Sequence, residues 1–364
     1  MQDRIDRAVE LHDRAVELQD VQQFTQAHAL CAEALQLMEE ADPGSPDVAN
    51  MLNTFAALQE SLGNYAGAAE SSLAGIAIMD KIGHLVEGDD GAVIHVRALL
   101  QLGAAYRSMG RYREAEPVLL RAVAKAESAF GPDAMQSAAA CNNLAILYKF
   151  TGRFDEAEAL YRRALAAAVR CYGEDHWEAS GIYHNLGGLE HSRGRFDRAE
   201  PLARRGYEIR LKAFGPDHPD TAADAAGLAA ILDGLERYDE SLPLYRQALA
   251  VFERVYGPEH YEIALNLSNL AAVHAARGDL RAAELMYRQW LAMDEKTSGP
   301  DHPDTALTAL NLGVLLREEG RLKEAAVLCE RALRSFQASL APDHPRTAMC
   351  RKECAELHSL TSEF

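Results

Sequence analysis

The feature that most constrains the fold of this 364-residue chain is a segment that recurs every 42 residues. A glycine followed by proline or glutamate, an acidic residue and usually histidine begins at positions 131, 173, 215, 257 and 299, and alanine replaces the glycine at 341. A second marker, usually Gly-Arg-Tyr or Gly-Arg-Phe, begins at 110, 152, 194, 236, 278 and 320. This fixed period indicates an array of stacked units rather than a globular enzyme core.

Each unit carries the pattern of two helices, as residues 134–171 illustrate. Leu144 and Tyr148 belong to an apolar face with helical spacing, and Gly152 then interrupts the pattern. Asp155 follows in the first turn of a second apolar-periodic stretch, where a negative charge suits the helix dipole. The sequence therefore predicts a helical hairpin in every unit.

Aligned positions of successive units predict the core. One column contains only leucine, at Leu102, Leu144, Leu186, Leu228, Leu270 and Leu312. The next position is always small, at Gly103, Ala145, Gly187, Ala229, Ala271 and Gly313. A large residue followed by a small one lets helices approach closely while the leucines interlock.

The Leu-Gly/Ala pair, Tyr148, the Gly-Arg-Tyr/Phe turn, Glu-Ala-Glu and Arg-Ala-Leu resemble the tetratricopeptide repeat. The 42-residue length, Gly-Pro-Asp-His-Pro and Asn142-Asn143-Leu144-Ala145 resemble its kinesin light chain-like form, which is also abundant in bacterial proteins. The resemblance implies an all-α, right-handed α-solenoid of about eight helix-turn-helix repeats with a C-terminal cap helix. It implies a binding scaffold and names no partner.

The predicted organisation is one superhelix over residues 1–364. Degenerate repeats occupy 1–82, regular repeats occupy 92–340, and a cap helix spans 343–361. Between them, residues 83–91 carry five extra positions that are rich in glycine and acid. We expect a long connection there.

Composition excludes several classes of partner. The formal charge of −18 argues against nucleic acid or an anionic membrane as the main partner. Charges interrupt the apolar runs, which predicts no membrane span. The charged N-terminus predicts no signal peptide, and six scattered cysteines predict reduced, buried thiols in a cytoplasmic protein.

No catalytic motif is present: the sequence has no glycine-rich phosphate loop, no Gly-x-Ser-x-Gly and no His-Glu-x-x-His. We expect no enzyme activity, no cofactor and no metal. One histidine per unit falls on the same edge, at His176, His218, His260, His302 and His344. Stacked helices lie about 8–10 Å apart, so these histidines are expected to form hydrogen bonds at helix starts rather than share an ion.

Cys350, Cys354 and His358 follow one another at four-residue spacing, which places them on one side of a helix. They could chelate a metal, but Cys354 and His358 fall in columns that hold leucine one unit earlier. We therefore expect them to be buried packing residues. Trp290 stands in a column of small residues and is expected either to splay two repeats or to point outward.

The stripe of the first helix opposite the core columns lines a concave groove in tetratricopeptide arrays, as the resemblance implies. The candidate groove residues are Arg97, Gln101, Arg107, Asn142, Asn143, Lys149, His184, Asn185, His191, Asn269, Asn311 and Arg317. Five of them form an amide column that Gly227 interrupts. Primary amides donate and accept, so this column could hold an extended peptide backbone, bond to the neighbouring helix, or do both.

The groove also reverses the charge of the chain locally. Arg97, Arg107, Lys149, His184 and His191 are cationic or titratable groups in an acidic protein. They predict a protein or peptide partner with an acidic or C-terminal carboxylate segment. The small residues of repeat six, Ala223, Ala226, Gly227 and Ala230, are expected to leave room for a bulky side chain of that partner.

Three functions follow from these patterns. The leading one is a protein- or peptide-binding adaptor. A second is a small-ligand sensor or enzyme built around His184 and His191, which share a helix face. A third is a scaffold that associates with itself.

Overall fold

The computed structural model describes residues 2–21, 23–86, 88–257, 261–341 and 344–362. Within these ranges the chain forms seventeen α-helices and one short 3-10 turn, and no strand. His260, one of the histidines predicted to form a hydrogen bond at a helix start, lies outside the described residues. Among the helices of the described ranges, none has both the length and the apolar composition needed to cross a membrane.

The helices follow one another in hairpins. Their bounds are α1 Gln2–Asp20, α2 Phe24–Ala41, α3 Pro46–Ser61, α4 Tyr65–Ile82, α5 Asp90–Ser108, α6 Tyr112–Phe130, α7 Met135–Phe150, α8 Phe154–Tyr172, α9 Trp177–Ser192, α10 Phe196–Phe214, α11 Pro219–Gly234, α12 Tyr238–Tyr256, α13 Tyr261–Ala276, α14 Leu280–Thr297, α15 Pro303–Glu318, α16 Leu322–Ser339 and α17 Pro345–Ser362. Eight hairpins and the cap helix α17 confirm the predicted repeat count.

The turns inside the hairpins depend on a left-handed backbone conformation. Gly152 and Gly194, for example, have φ values of 83° and 71°. Glycine adopts this conformation without steric cost. Glu236 takes the same place in repeat six with φ of 59°, so that turn carries strain that the other turns avoid.

Two compact units can be distinguished. Unit 1 comprises Met1–Leu147 and Arg162–Cys171, and unit 2 comprises Tyr148–Tyr161 and Tyr172–Phe364. The core of unit 1 is built from apolar side chains such as Leu99 and Leu102. In unit 2 the odd-numbered helices α9, α11, α13, α15 and α17 contact one another in succession and so form one face. We call this the inner face of unit 2.

The predicted core columns are confirmed. All six leucines of the leucine column are buried, and so are the six small residues that follow them. At Gly187 a Cβ would lie only 3.0 Å from the Cβ of Ala203. The small residue therefore permits the close approach of α9 and α10.

The predicted helix-start histidines are confirmed where they are described. The Nδ1 atoms of His176, His218, His302 and His344 accept hydrogen bonds from the backbone N–H two residues later, at 3.3, 3.2, 3.2 and 3.1 Å. Each imidazole thus caps a helix N-terminus. In the described part of the chain, no group of three or more His, Cys, Asp or Glu residues is placed to hold a metal ion.

The described residues of the inserted segment 83–91 are more compact than the long connection that was expected. Gly83–Leu85 form the 3-10 turn, and α5 already begins at Asp90. Gly91 is buried, and a Cβ on it would lie 2.8 Å from the carbonyl oxygen of Gly83. Part of the insertion therefore lengthens α5 and packs against the end of α4.

The expectation of buried thiols needs one correction, because Cys171 is exposed while the other five cysteines are buried. Cys350 and Cys354 are packing residues, as predicted. His358 is exposed instead, and Leu357 is buried in its stead. Only at this last turn of α17 is the buried residue one position away from the predicted column.

Trp290 is a packing residue and does not point outward. Its side chain is 5% exposed and lies in a cluster with Ala222, Phe252 and Ile263. It does not form an exposed interaction handle.

Candidate functional site

The predicted groove residues divide between the two units. Unit 1 holds Arg97, Gln101, Arg107, Asn142 and Asn143, and unit 2 holds Lys149, His184, Asn185, His191, Asn269, Asn311 and Arg317. Each unit is described by itself.

In unit 1 the amides engage the protein's own backbone. Gln101 Nε2 donates to the carbonyl of Asn53 at 2.7 Å, and Asn143 Nδ2 donates to the carbonyl of Ala139 in its own helix at 3.0 Å. The amide column was expected to bond to a peptide backbone, to the neighbouring helix, or to both. Gln101 bonds to the neighbouring helix. Arg97 is exposed, so it remains the more accessible side chain of this stretch.

In unit 1, Arg107 and the neighbouring Glu60 are both half-buried. Burial raises the pKa of Glu60, and the positive charge of Arg107 opposes that rise. The guanidinium therefore balances charge within the protein. This interaction weakens the case for Arg107 as a ligand-binding cation.

In unit 2 three cationic or titratable side chains surround one glycine on the inner face. His184, Gly188 and His191 follow one another at helical spacing on α9. A Cβ on Gly188 would lie 3.3 Å from Lys149 Nζ. The missing side chain lets Lys149 lie over α9 between the two histidines. We call Lys149, His184 and His191 the basic cluster.

His191 is half-buried between α9 and α11. Burial lowers its pKa, the positive charges of Lys149 and Arg346 lower it further, and a hydrogen bond to the Ala230 carbonyl raises it. The lowering effects dominate. His191 is therefore neutral at neutral pH.

His184 is oriented by a buried ion pair. Its Nδ1 lies 2.8 Å from Asp224 Oδ1, and Arg210 Nη1 lies 3.0 Å from the same oxygen. Asp224 is only 1% exposed, whereas His184 is 32% exposed. Within the described residues, Asp224 Oδ2 has no hydrogen-bond partner. Because Nδ1 faces Asp224, the ring presents Nε2 away from it.

The room predicted in repeat six is already occupied. A Cβ on Gly227 would lie 2.7 Å from Cε1 of His184. The imidazole of this chain thus covers the position that was expected to admit a bulky side chain of the partner. The prediction of an open space beside Gly227 is wrong, because a long side chain from the preceding repeat reaches it.

An apolar pocket opens further along the inner face. It has a volume of about 380 Å³ and is lined by Ala272, Ala275, Ala276, Tyr287, Leu310, Asn311, Val314, Leu315, Glu318, Met349 and Glu353. The residues come from α13, α14, α15 and α17. The amides of Asn269 and Asn311 have no hydrogen-bond partner in the described ranges.

Arg317, one of the predicted groove residues, lies against two carboxylates of the cap helix. Its Nε lies 2.5 Å from Glu353 Oε1, and its Nη1 lies 3.2 Å from Glu356 Oε2. Burial raises the pKa of Glu353, and Arg317 opposes this. Arg317 thus ties α15 to the cap helix instead of facing a ligand.

The inner face of unit 2 also brings distant repeats together. A Cβ on Gly152, in the turn after α7, would lie 3.1 Å from Cδ2 of His344, just before α17. Arg346 pairs with Asp304 at 3.2 Å. The start of the cap helix therefore lies beside the basic cluster.

Sequence reasoning missed Asp224 and Arg210, although a signal was present. Residue 224 belongs to a column with Ala98 and Ala140, and residue 210 belongs to a column with Ala126 and Ala168. A charged residue in an apolar column is unusual. Two opposite charges at facing positions of adjacent repeats indicate a buried pair.

A family model described as tetratricopeptide repeat matches residues 95–170, 178–241, 223–296 and 304–364. The chain belongs to the tetratricopeptide repeat family. The sequence-based recognition of this repeat is thereby confirmed. No curated protein matches the sequence.

Solved structures with a similar fold include a Rap protein complexed with competence and sporulation factor, with 13% identity, a TM-score of 0.61, and coverage of 98% of this chain and 99% of that one. The Rap conjugation gene regulator of plasmid pLS20, in complex with the Phr* peptide, has 15% identity, a TM-score of 0.58, and coverage of 92% and 95%. BtubC (BKLC) from P. vanneervenii has 24% identity, a TM-score of 0.44, and coverage of 67% and 91%. At these identities the likeness shows the fold alone.

Proposed function

We propose that this tetratricopeptide repeat protein is a cytoplasmic adaptor that binds an extended, acidic segment of a protein or peptide on the inner face of unit 2. The basic cluster carries the proposal. Lys149 lies over Gly188 between His184 and His191, in a chain whose formal charge is −18. The positive charge of Lys149 in this acidic surrounding attracts a carboxylate and rejects cationic competitors.

The chemistry of His184 fits such a ligand. With Nδ1 held by Asp224, Nε2 accepts a hydrogen bond from a peptide N–H in the neutral ring. In the protonated ring it donates to a carboxylate. One oriented imidazole can thus serve either the backbone or an acidic end of the segment.

The rest of the inner face suits an extended segment. The apolar pocket has room for a side chain, and Asn269 and Asn311 retain amide groups to bond with a peptide backbone. Two solved structures of the same fold contain the competence and sporulation factor and the Phr* peptide, and this precedent supports peptide binding here.

The test begins with selection from a library of displayed ten-residue peptides with free C-termini. We expect enrichment of Asp and Glu in the selected peptides. Lys149→Glu should weaken binding of a selected peptide by about tenfold or more at low salt and by less at high salt, because salt screens the charge of this half-buried side chain where solvent reaches it. Isothermal titration calorimetry at two ionic strengths measures this difference.

Lys212→Glu is the matched control. Lys212 is an exposed lysine on α10, outside the inner face. Its replacement by glutamate changes the net charge of the protein by the same amount as Lys149→Glu. We expect it to bind like the wild type after allowance for the small change in long-range attraction. Equal losses in both variants would contradict a site at the basic cluster.

A general base also needs an oriented imidazole, so the orientation of His184 by Asp224 supports the sensor or enzyme alternative as well. It predicts that the protein converts a small metabolite and that His184→Ala abolishes turnover while binding persists. Screening metabolite pools by mass spectrometry, with wild type and His184→Ala side by side, distinguishes this alternative from peptide binding.

A further inference from the structure

A ladder of five rings lies on the edge of unit 2 where even-numbered helices end and odd-numbered helices begin. Tyr172 stacks on His176 at 4.6 Å between ring centroids, and Phe214 stacks on His218 at 4.7 Å. Trp177 joins the two stacks, at 5.5 Å from His176 and 5.7 Å from Phe214. We call these five residues the aromatic ladder.

The two aromatic–histidine stacks have a local structural role. Each one places the last aromatic residue of an even-numbered helix against the histidine that caps the next helix. Trp177 has no such role, because prolines 219, 303 and 345 hold the same position in other repeats. Replacing proline by tryptophan therefore adds surface without being needed for the cap.

That surface is open. Tyr172, Trp177 and Phe214 are 49%, 43% and 39% exposed. Large aromatic rings that remain accessible in a contiguous group indicate an interaction site more often than scattered single apolar residues do.

An open depression of about 500 Å³ adjoins the ladder and is lined by Tyr172, Gly173, Glu174, Asp175, His176 and Arg205. Arg205 pairs with Asp175. In the described part of the chain, Glu174 has no ion-pair partner. The depression therefore holds one uncompensated carboxylate next to the open ring of Tyr172.

We propose that the aromatic ladder and Glu174 form a second docking surface, for an arginine-bearing segment of a partner protein. A guanidinium group stacks on aromatic faces and pairs with a carboxylate in the same plane. The acidic chain as a whole favours the approach of a cationic segment. This surface lies outside the inner face and has the opposite charge preference to the basic cluster.

The sequence supplies its own spectroscopic probe. It contains two tryptophans, the exposed Trp177 and the buried Trp290. In a Trp290→Phe variant the emission comes from Trp177 alone. An Arg-Gly-Arg-Gly-Arg peptide should change that emission saturably, and the Lys-Gly-Lys-Gly-Lys peptide should bind at least about fivefold more weakly, because an ammonium does not stack.

Trp177→Pro tests the ladder without disturbing the cap. His176 has ψ of 143°, close to the 136° of His218 and 140° of His302, which already precede prolines. Proline at the first helical position is well tolerated. Binding of fluorescein-labelled arginine peptide, followed by anisotropy in the wild-type background, should weaken at least about fivefold in Trp177→Pro and in Glu174→Gln.

Asp301→Asn is the matched control. It removes one carboxylate from the equivalent loop of a later repeat, where Ser298 and Pro303 replace the aromatic residues. It should leave the anisotropy titration unchanged. If the arginine and lysine peptides bind equally, if Trp177→Pro binds like the wild type, or if Asp301→Asn weakens binding as much as Glu174→Gln, the attraction is general electrostatics and the docking surface is overturned.

Discussion

The α10/α11 junction and the α14/α15 junction place polar side chains at the same two positions of the repeat, but they treat buried charge differently. At α10/α11 the pair is Arg210 and Asp224, 3.0 Å apart. At α14/α15 the residues two repeats later are Asp294 and Thr308, and the Thr308 hydroxyl donates to Asp294 Oδ2 at 2.8 Å. One carboxylate has a cationic partner, and the other accepts a hydrogen bond from a hydroxyl.

The electrostatic consequence is visible at Asp294. Its pKa is raised to about 6 in total: burial contributes most to the rise, Asp304 and Glu295 add to it, and the hydrogen bond from Thr308 and the charge of His302 oppose it. Asp224 is even more deeply buried, but it has two nitrogen partners, Arg210 and His184. The comparison shows that one repeat geometry accommodates either a charge pair or a titrating acid, depending on the side chain that faces the carboxylate.

The largest expected effect comes from Asp224→Ala. It leaves the guanidinium of Arg210 without its carboxylate and releases His184, so we expect a loss of about 3 kcal/mol in the free energy of unfolding. Urea denaturation followed by circular dichroism measures the loss.

The double variant Arg210→Ala with Asp224→Ala sharpens this test. It recreates the Ala126–Ala140 pair found at α6/α7 and leaves no unpaired charge. It should therefore be more stable than Asp224→Ala alone. A double variant no better than the single one would show that the ion pair is not the main contribution.

The next effect concerns pH and Asp294. Its folded-state pKa of about 6 exceeds the usual unfolded value of about 3.9. The folded state thus binds more protons in this window, and this group makes stability fall as pH rises from about 4 to about 6. Asp294→Asn should remove that slope and stabilise the protein at pH 7.5 by about 2 kcal/mol.

Thermal unfolding of wild type and Asp294→Asn at pH 4.5 and pH 7.5 measures the effect. We expect the variant to gain in melting temperature at pH 7.5 and to differ little at pH 4.5. A pH-independent difference between the two proteins would contradict a titrating Asp294.

Thr308→Val should have a smaller effect. It keeps the shape of the side chain and removes the hydroxyl that donates to Asp294, so we expect a loss of about 1 kcal/mol at pH 7.5. Urea denaturation of the double variant Asp294→Asn with Thr308→Val, and of each single variant, gives the coupling energy between the two side chains. Coupling near zero would show that the hydroxyl does not stabilise the carboxylate.

The smallest effect is expected at Ser180, which adjoins the charged junction. Its hydroxyl accepts from Arg210 Nε at 3.2 Å and donates to the Trp177 carbonyl at 2.6 Å. Alanine holds the equivalent position in α11, and Arg210 keeps Asp224, so Ser180→Ala should cost about 0.5 kcal/mol. A loss as large as that of Asp224→Ala would mean that the serine, not the ion pair, positions Arg210.

Much of the fold was predictable because it repeats. The hairpin count, the leucine column and the described histidine caps all follow from local or periodic patterns, and the structure confirms them. The candidate site was less predictable. Lys149 and His184 lie on the inner face of unit 2, whereas Arg317 pairs with Glu353, which comes from the cap helix one repeat further along.

The sequence by itself determined the architecture, since a 42-residue period, alternating large and small core residues and helix caps act through short-range contacts that recur in every unit. Tertiary structure decided which polar groups meet. His184 reaches Asp224 and covers Gly227, Lys149 lies over Gly188, and Trp177 connects two ring stacks. These contacts depend on how far each long side chain reaches into the next repeat. That reach is fixed by the packing of successive helices, and the periodic pattern alone does not encode it.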